Sequence, residues 1–217
     1  TKSKYKFSKI KKFYEYEPQI IINEKSVIFF DNKGTILNFS KNSNLLWKKN
    51  YYSKNEQNKN PILFFASNKD FLIVADTIAK LYVIDINTGK LIWSKKNSAP
   101  FNSQIKIYKD KFFVIDFDNN LKGYLIKNGE KILDVKTENT LIRSQKKLSI
   151  VVVHENIYFN NSLGDISSVN IKSGELLWQT PTQNYLVYND SLFLKTSEII
   201  TDNKNLYFSN NKNEFFS

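Results

Sequence analysis

The sequence contains no cysteine and no methionine, and it has one histidine, His154, and one arginine, Arg143, among 217 residues. Because there is no thiol, disulfides, cysteine nucleophiles and cysteine-ligated metal sites are excluded within these residues. A zinc site and a Ser-His-Asp triad are both disfavoured, since His154 would have to serve each of them alone. The lack of methionine leads us to expect that the natural N-terminus lies upstream of Thr1.

Long hydrophobic runs are also lacking. No apolar stretch approaches the roughly 20 residues of a membrane-spanning helix. The lysine-rich start of the chain is followed by no apolar segment of the kind found in signal peptides. We therefore interpret residues 1–17 as a basic N-terminal segment and residues 18–217 as the folded part.

Positive charge predominates, with a formal net charge of +11. Arg143 is the only residue with the planar fork that best binds bases and phosphates, and the lysines are spread along the chain. This distribution favours general solvation of the surface. An anionic membrane surface and nucleic acid remain as alternative explanations of the charge.

A repeat of about 45 residues runs through the chain. Each unit has an apolar run, a polar turn, an alternating run, a second turn and a short apolar run. The second turn holds Ser43, Gly89, Gly129 and Gly174, at spacings of 46, 40 and 45 residues. The run after it ends at Trp47, Trp93, Leu133 and Trp178. A further apolar run precedes each unit, so the plan is four short strands per unit.

Four short strands per 40–50 residues are typical of a β-propeller blade. We predict an all-β propeller of four-stranded antiparallel blades with essentially no helix; a β-sandwich is the alternative. The expected blades cover approximately residues 18–50, 61–97, 104–137, 148–180 and 198–217, the last ending within its third strand. We expect about four and a half blades of a larger ring; the alternative is a small ring closed by pairing of the chain ends.

The segments IDINTGKLIW (84–93) and VNIKSGELLW (169–178) closely resemble the blade motif of PQQ-type propeller repeats. The resemblance implies that an Asp or Asn starts a turn, that Gly takes a positive-φ position, and that Trp packs between blades. These structural roles would fall to two sets of residues: Asp85, Gly89 and Trp93, and Asn170, Gly174 and Trp178. Both Trp93 and Trp178 are therefore expected to be mostly buried. The first blade departs with Ser43 for Gly, and the third with Leu133 for Trp.

Within this superfamily, residues 18–217 look most like the BamB family of outer-membrane β-barrel assembly lipoproteins. The most specific part is TLIRSQKKLSIVVVHENIYF (140–159), where that family often has Leu-x-Leu-Arg-Gly. The resemblance implies a partner-binding loop at Thr140, Leu141, Ile142 and Arg143 that docks on BamA. Thr140 and Ser144 depart from the motif, and the link 179–197 lacks the acidic pair of the family.

The BamB resemblance implies a non-catalytic scaffold on the periplasmic side of the outer membrane, lipid-anchored in the full-length protein, with no cofactor. BamA and, by pairing at sheet edges, unfolded outer-membrane proteins are the implied partners. The alternatives are a PQQ-repeat module with another partner and a fragment of a quinoprotein dehydrogenase. The latter resembles this chain in blade motif only, and such enzymes characteristically carry a vicinal cysteine pair and calcium ligands near the quinone.

Two polar segments contain residue types that occur in metal or catalytic sites. The run IDFDNN (115–120) lacks the Gly and Glu that an EF-hand needs at its sixth and twelfth positions. A hairpin turn explains this run better, and a hairpin turn on a blade rim also explains His154. We therefore predict neither catalytic nor metal-binding residues.

Overall fold

A computed structural model describes residues 19–137, 147–182, 197–210 and 214–217. The basic segment 1–17 and the residues of the expected partner-binding loop, Thr140 to Arg143, lie outside these ranges. The chain divides into two compact units, Thr1–Pro100 and Phe101–Ser217. Each unit is described by itself below.

The first unit contains two four-stranded antiparallel sheets, in each of which the strand order follows the chain. The first sheet comprises β1 (Ile21–Ile22), β2 (Ser26–Phe30), β3 (Thr35–Ser40) and β4 (Leu45–Asn50). The second comprises β5 (Leu63–Ser67), β6 (Phe71–Asp76), β7 (Lys80–Asp85) and β8 (Leu91–Lys96). Alternation is visible in β2, where every second residue of SVIFF is buried.

The second unit contains two four-stranded sheets and one of three strands. The four-stranded sheets are β9 (Lys106–Tyr108), β10 (Lys111–Ile115), β11 (Leu121–Leu125) and β12 (Lys131–Val135), then β13 (Ile150–Val153), β14 (Asn156–Asn160), β15 (Ile166–Asn170) and β16 (Leu176–Thr180). The three-stranded sheet is β17 (Ile200–Thr201), β18 (Leu206–Ser209) and β19 (Phe215–Phe216). Four four-stranded antiparallel sheets and a partial fifth confirm the predicted all-β plan.

Successive sheets pack face to face within each unit. In the first unit, Ile28 and Ile36 of the first sheet share a buried cluster with Leu72 and Tyr82 of the second. The sheets β9–β12 and β13–β16 share another, with residues such as Phe113 and Phe159. Full burial of such a side chain contributes about 1.5–3 kcal/mol, so these clusters are the main stabilising feature of the stacked sheets.

Glutamine side chains also join neighbouring sheets near their first strands. The amide of Gln19 donates to the backbone oxygen of Phe65 at 2.7 Å and accepts from its N–H at 2.8 Å. In the second unit, Ile150 N–H donates to Oε1 of Gln104 at 3.3 Å. Each contact spans 46 residues, which is about one blade period, so each glutamine joins its own sheet to the next one.

The connection from β4 to β5 contains the one helical turn among the described residues, α1 (Lys54–Gln57). Its first turn is closed by a capping box, in which Ser53 and Glu56 each accept from the other's backbone N–H. Lys80 from the next sheet donates to the backbone oxygen of Tyr51 at 2.5 Å and lies 3.4 Å from the Glu56 carboxylate. One four-residue turn agrees with the expectation of essentially no helix.

Candidate partner-binding site

At one end of each four-stranded sheet, the hairpin between strands two and three lies beside the connections to the neighbouring sheets. In an up-and-down sheet, the hairpin between strands two and three lies at the same end as the exit of strand four and the start of the next sheet's first strand. We call this end of a sheet its hairpin end. Residues 138–146, which contain the expected partner-binding loop, lie between β12 and β13 in the chain, and the two strand ends that they connect are both at hairpin ends.

The hairpins between the second and third strands share an Asp or Asn whose common role the sequence analysis did not predict. Its side-chain oxygen accepts the backbone N–H groups two and four residues later, as Asp76 does from Ile78 and Lys80 at 2.8 Å each. Such Asx bonds fix a tight turn without a helix or sheet ladder. Among the described residues the equivalent ones are Asp31, Asp76, Asp116 and Asn161. Asn210 accepts in the same way from the N–H four residues later, that of Glu214.

The described residues on both sides of segment 138–146 are firmly held. Before it, buried Thr137 donates its hydroxyl to the backbone oxygen of Asn119 at 2.7 Å. After it, Leu148 N–H donates to the oxygen of Asn102 at 2.8 Å, and Gln104 N–H donates to the oxygen of Leu148 at 2.8 Å. The points at which this connection leaves and rejoins the fold are therefore fixed by buried contacts.

A buried polar contact joins the two sheets beside these points. The side-chain oxygen of Asn119, which is fully buried at φ 62°, accepts from the N–H and the hydroxyl of Ser162 at 2.9 and 2.8 Å. Asn119 lies in the β10–β11 hairpin and Ser162 in the β14–β15 hairpin. The two hairpins are thus locked together by side chains whose replacement would leave buried polar atoms without partners.

Charged side chains extend this polar region into the β9–β12 sheet. Lys122, which is buried, lies 3.5 Å from Asp116 and 3.1 Å from Asp134. Lys131 adds a 2.5 Å contact to Asp134. Partial burial opposes ionisation of Asp134, but the hydrogen bonds from Lys131 and Lys122 outweigh it and hold the pKa of this carboxyl below its ordinary value. A buried lysine between two carboxylates therefore holds the hairpin end of this sheet in one conformation.

The residues of the predicted blade motif lie at the opposite ends of the sheets, in the turns between strands three and four. The Asp85 carboxylate accepts from Asn87 N–H and Thr88 N–H at 3.0 and 2.8 Å. Asn170 accepts from Lys172 N–H and Ser173 N–H at 2.9 and 3.0 Å. At the end of these turns, Gly89 and Gly174 have φ of 67° and 74°, a region that glycine enters at no steric cost.

Burial of the tryptophans differs from the expectation. Trp178 is 42% exposed and Trp93 is only half-buried, whereas Trp47 is 7% exposed. Trp93 and Trp178 do occupy equivalent positions, paired with Val83 and Ser168 on the preceding strands. The prediction that Trp178 is mostly buried is therefore wrong, although its place in the sheet is equivalent.

Trp47 is buried because the sheet that follows it in the chain covers its ring. The Trp47 ring lies under the turn of the second sheet, 2.9 Å from where a Cβ on Gly89 would stand, and its indole N–H donates to Ile86 O at 3.0 Å. Leu133, which replaces Trp in its sheet, is covered in the same way, and its Cδ1 lies 3.2 Å from where a Cβ on Gly174 would stand. The sheet after Trp178, β17–β19, has no such turn among its described residues.

His154 and the acidic segment have the structural positions expected of turns. His154 is exposed at φ 54° between β13 and β14, and Asp116 to Asn119 form the β10–β11 hairpin. In the described ranges, no group of three or more His, Cys, Asp or Glu side chains is placed to hold a metal ion. Within the same ranges, no helix has the length and apolar character of a membrane span.

Comparison with known proteins gives the family of the chain. The model of the family described as outer membrane protein assembly factor BamB matches residues 22–217. Among solved structures, BamB from Moraxella catarrhalis superposes with a TM-score of 0.66 at 15% identity, over 91% of this chain and 62% of that one. The computationally designed Ika8 protein superposes with a TM-score of 0.72 at 12% identity, over 90% of this chain and 56% of that one.

At these identities the two structures support the fold, and this chain spans about three fifths of the length of each. The family match, by contrast, covers nearly the whole chain and includes every described strand except the first residue of β1. The predicted PQQ-type β-propeller repeat is thereby confirmed. The chain belongs to the family of the outer membrane protein assembly factor BamB.

Proposed function

We propose that this protein is a non-catalytic scaffold of the outer-membrane β-barrel assembly machinery and that it binds the periplasmic part of a BamA-like protein. It acts on the periplasmic side of the outer membrane, held there by a lipid anchor in the full-length protein. The observation that carries the proposal is the family match over residues 22–217. A family defined by an assembly factor favours a binding role over the quinoprotein alternative, which resembles this chain in blade motif only.

The binding residues of the proposal are Thr140, Leu141, Ile142 and Arg143, within the connection from β12 to β13. Support comes from the described residues on both sides. Thr137 and Leu148 are buried and hydrogen-bonded, so the segment between them is presented from a rigid base. Binding loops on rigid scaffolds lose less entropy when they dock. Arg143 would bind a carboxylate of the partner through two parallel hydrogen bonds, which a lysine cannot reproduce.

Unfolded outer-membrane proteins are a weaker candidate partner. Edge pairing requires a regular row of free backbone groups. The pairing of the fourth strand with the third shifts register in every four-stranded sheet, because one residue of the fourth strand is bulged. A bulge interrupts the hydrogen-bonding template, so these edges are poor sites for an added strand.

The experiment is a pull-down of the purified chain on the periplasmic domains of the BamA homologue from the same organism. The test variant is Arg143→Glu. Its matched control is Lys127→Glu, which makes the same charge change at an exposed turn on the opposite end of the β9–β12 sheet. Reversing an interface charge is expected to cost several kcal/mol, about 2–5 kcal/mol for a buried pair, and to abolish capture.

Capture of wild type and of Lys127→Glu, with loss for Arg143→Glu, would support the proposal. Unchanged capture of a folded Arg143→Glu protein would remove this residue from the interface. Failure of the wild-type chain to bind at all would favour a PQQ-repeat module with a different partner.

A further inference from the structure

The fourth strands of the two sheets in the first unit have the same exposed composition. Each begins with two aliphatic residues and has a pair of lysines in its second half, and all eight of these side chains are exposed. We call this surface the outer rim of the first unit. Its residues are Leu45, Leu46, Lys48 and Lys49 on β4, and Leu91, Ile92, Lys95 and Lys96 on β8.

A β-bulge occurs at the same place in both strands of the outer rim. Leu46 has no partner in the register between β3 and β4, and Ile92 has none between β7 and β8, so each is the extra residue of its bulge. A bulge redirects the side chain of the extra residue. Leu46 is 52% and Ile92 42% exposed, and Leu45 and Leu91, which have partners in the register, are 42% and 41% exposed. Four of the six exposed large hydrophobic residues described in this unit belong to the outer rim.

The two strands of the rim are neighbours in space. The turn that leads into β8 lies against β4, since Gly89 stands over the Trp47 ring and beside the side-chain stem of Lys49. The hydroxyl of Tyr51, one residue beyond β4, donates to the backbone oxygen of Gly89. The start of β8 therefore lies beside the lysine pair of β4, and the two exposed strands belong to adjacent sheets.

This surface is strongly and locally positive. Residues 41–50 and 86–97 contain six lysines and no acidic residue. The adjacent Asp85 is turned into its own loop by hydrogen bonds from Asn87 and Thr88, and those from Thr88 do most to lower the pKa of its carboxyl.

The equivalent strands of the second unit lack this charge. In β12, Asp134 is bonded to Lys122 and Lys131, and β16 contains no lysine at all. A general enrichment in lysine would not produce this contrast between equivalent strands. The aliphatic residues, in comparison, recur in all four sheets, with Ile132 and Leu177 at the bulge positions of β12 and β16.

We propose that the outer rim binds the surface of an anionic lipid bilayer. The lysines would lie at the phosphate groups, while Leu46, Ile92 and their neighbours reach the boundary of the acyl chains. Charge complementarity selects this occupant, because basic residues beside exposed aliphatic ones gain both electrostatic attraction and apolar burial at such an interface. The long lysine stems can lie along the aliphatic surface while their ammonium groups reach the headgroups. This contact is independent of the proposed BamA site.

The test is sedimentation of the whole chain with lipid vesicles at low salt. One set of vesicles is phosphatidylcholine alone, and the other contains about one quarter phosphatidylglycerol, since each lysine near an anionic surface contributes on the order of 1 kcal/mol. The test variant carries Lys48→Glu, Lys49→Glu, Lys95→Glu and Lys96→Glu. The control carries the same change at four exposed lysines of the second unit, Lys106, Lys109, Lys127 and Lys204. Each substitution removes two charges, so both variants fall from +11 to +3.

Wild type is expected to sediment with the anionic vesicles only, and less as salt rises. The rim variant should lose about 100-fold or more in partition coefficient, and the control much less. The double variant Leu46→Ser, Ile92→Ser keeps the charge and should lose about tenfold. Melting curves establish that each variant is folded. Equal losses in the two quadruple variants, equal binding to neutral vesicles, or retention on duplex DNA but not on anionic vesicles would each overturn the proposal.

Discussion

Replacing Trp47 and Trp178 by alanine tests the explanation of tryptophan burial given above. Both residues occupy the same position after the turn of a blade motif, but only Trp47 is covered by the turn of the next sheet. Truncation of a buried tryptophan costs about 3–5 kcal/mol. The carbonyl of Ile86 keeps a donor in Asn38 Nδ2 at 3.3 Å, so loss of the indole hydrogen bond adds little. We expect about 4 kcal/mol for Trp47→Ala.

Trp178→Ala should cost far less. The side chain is 42% exposed and retains a ring contact with Tyr158, with centroids 5.9 Å apart. Only part of its apolar area is removed from water, so we expect about 1–2 kcal/mol. For a chain of this length, the two values correspond to losses of roughly 10 °C and 3 °C in melting temperature.

The assay is urea and thermal unfolding followed by far-UV circular dichroism, which needs no tryptophan as reporter. Each variant is compared with wild type, and Trp→Phe at each position serves as the conservative control. Equal losses at the two positions, or a loss below about 1 kcal/mol for Trp47→Ala, would refute the explanation. Such results would mean that contact with the following turn contributes little to the stability of a blade.

Three further predictions concern turns and buried charges. Gly89→Ala should destabilise the fold by about 1–3 kcal/mol, because its φ is 67° and the new Cβ would lie 2.9 Å from the Trp47 ring. Ser43→Gly, at φ 62°, should be neutral or slightly stabilising. Urea midpoints that rank the two variants in the opposite order would contradict this. Lys122→Met should cost about 3–5 kcal/mol at neutral pH by leaving buried Asp116 without its cation, and a loss below about 1 kcal/mol in calorimetry would show that this pair is not needed. Burial raises the pKa of Asp76, so the protonated carboxyl stabilises the fold at low pH, and this stability is lost as pH rises through the folded pKa. Asp76→Asn should therefore lower the urea midpoint more at pH 4 than at pH 7. An equal or reversed difference would show that this carboxyl does not titrate in this way.

The blade plan was predictable because its signals are local. The turns at Ser43, Gly89, Gly129 and Gly174 need a positive φ, and the strands between them alternate or are apolar throughout. The Asp or Asn of the other hairpins was also present in the sequence, at spacings of 45, 40, 45 and 49 residues from Asp31 to Asn210. It was missed because the residues that follow it differ from hairpin to hairpin, and only the hydrogen bonds reveal its shared role.

Other features depend on neighbours that lie far away in the sequence. Burial of Trp47 and exposure of Trp178 are decided by whether the next sheet supplies a covering turn. Lys122 reads as one surface lysine among many, yet it is buried because Asp116 and Asp134 stand beside it. The partner-binding residues Thr140 to Arg143 were inferred from family resemblance, and they remain a prediction because they lie outside the described residues.

The most direct test of the proposed role is site-specific photo-crosslinking of the purified chain to the periplasmic domains of its own organism's BamA homologue. A benzophenone amino acid replaces Thr140 in one variant, which keeps Arg143, and Lys127, at the opposite end of the same sheet, in the other. We predict a crosslinked product with the BamA homologue for position 140 and none for position 127. Crosslinking at 127 alone, or equally at both positions, would contradict the proposal that the connection from β12 to β13 is the binding site.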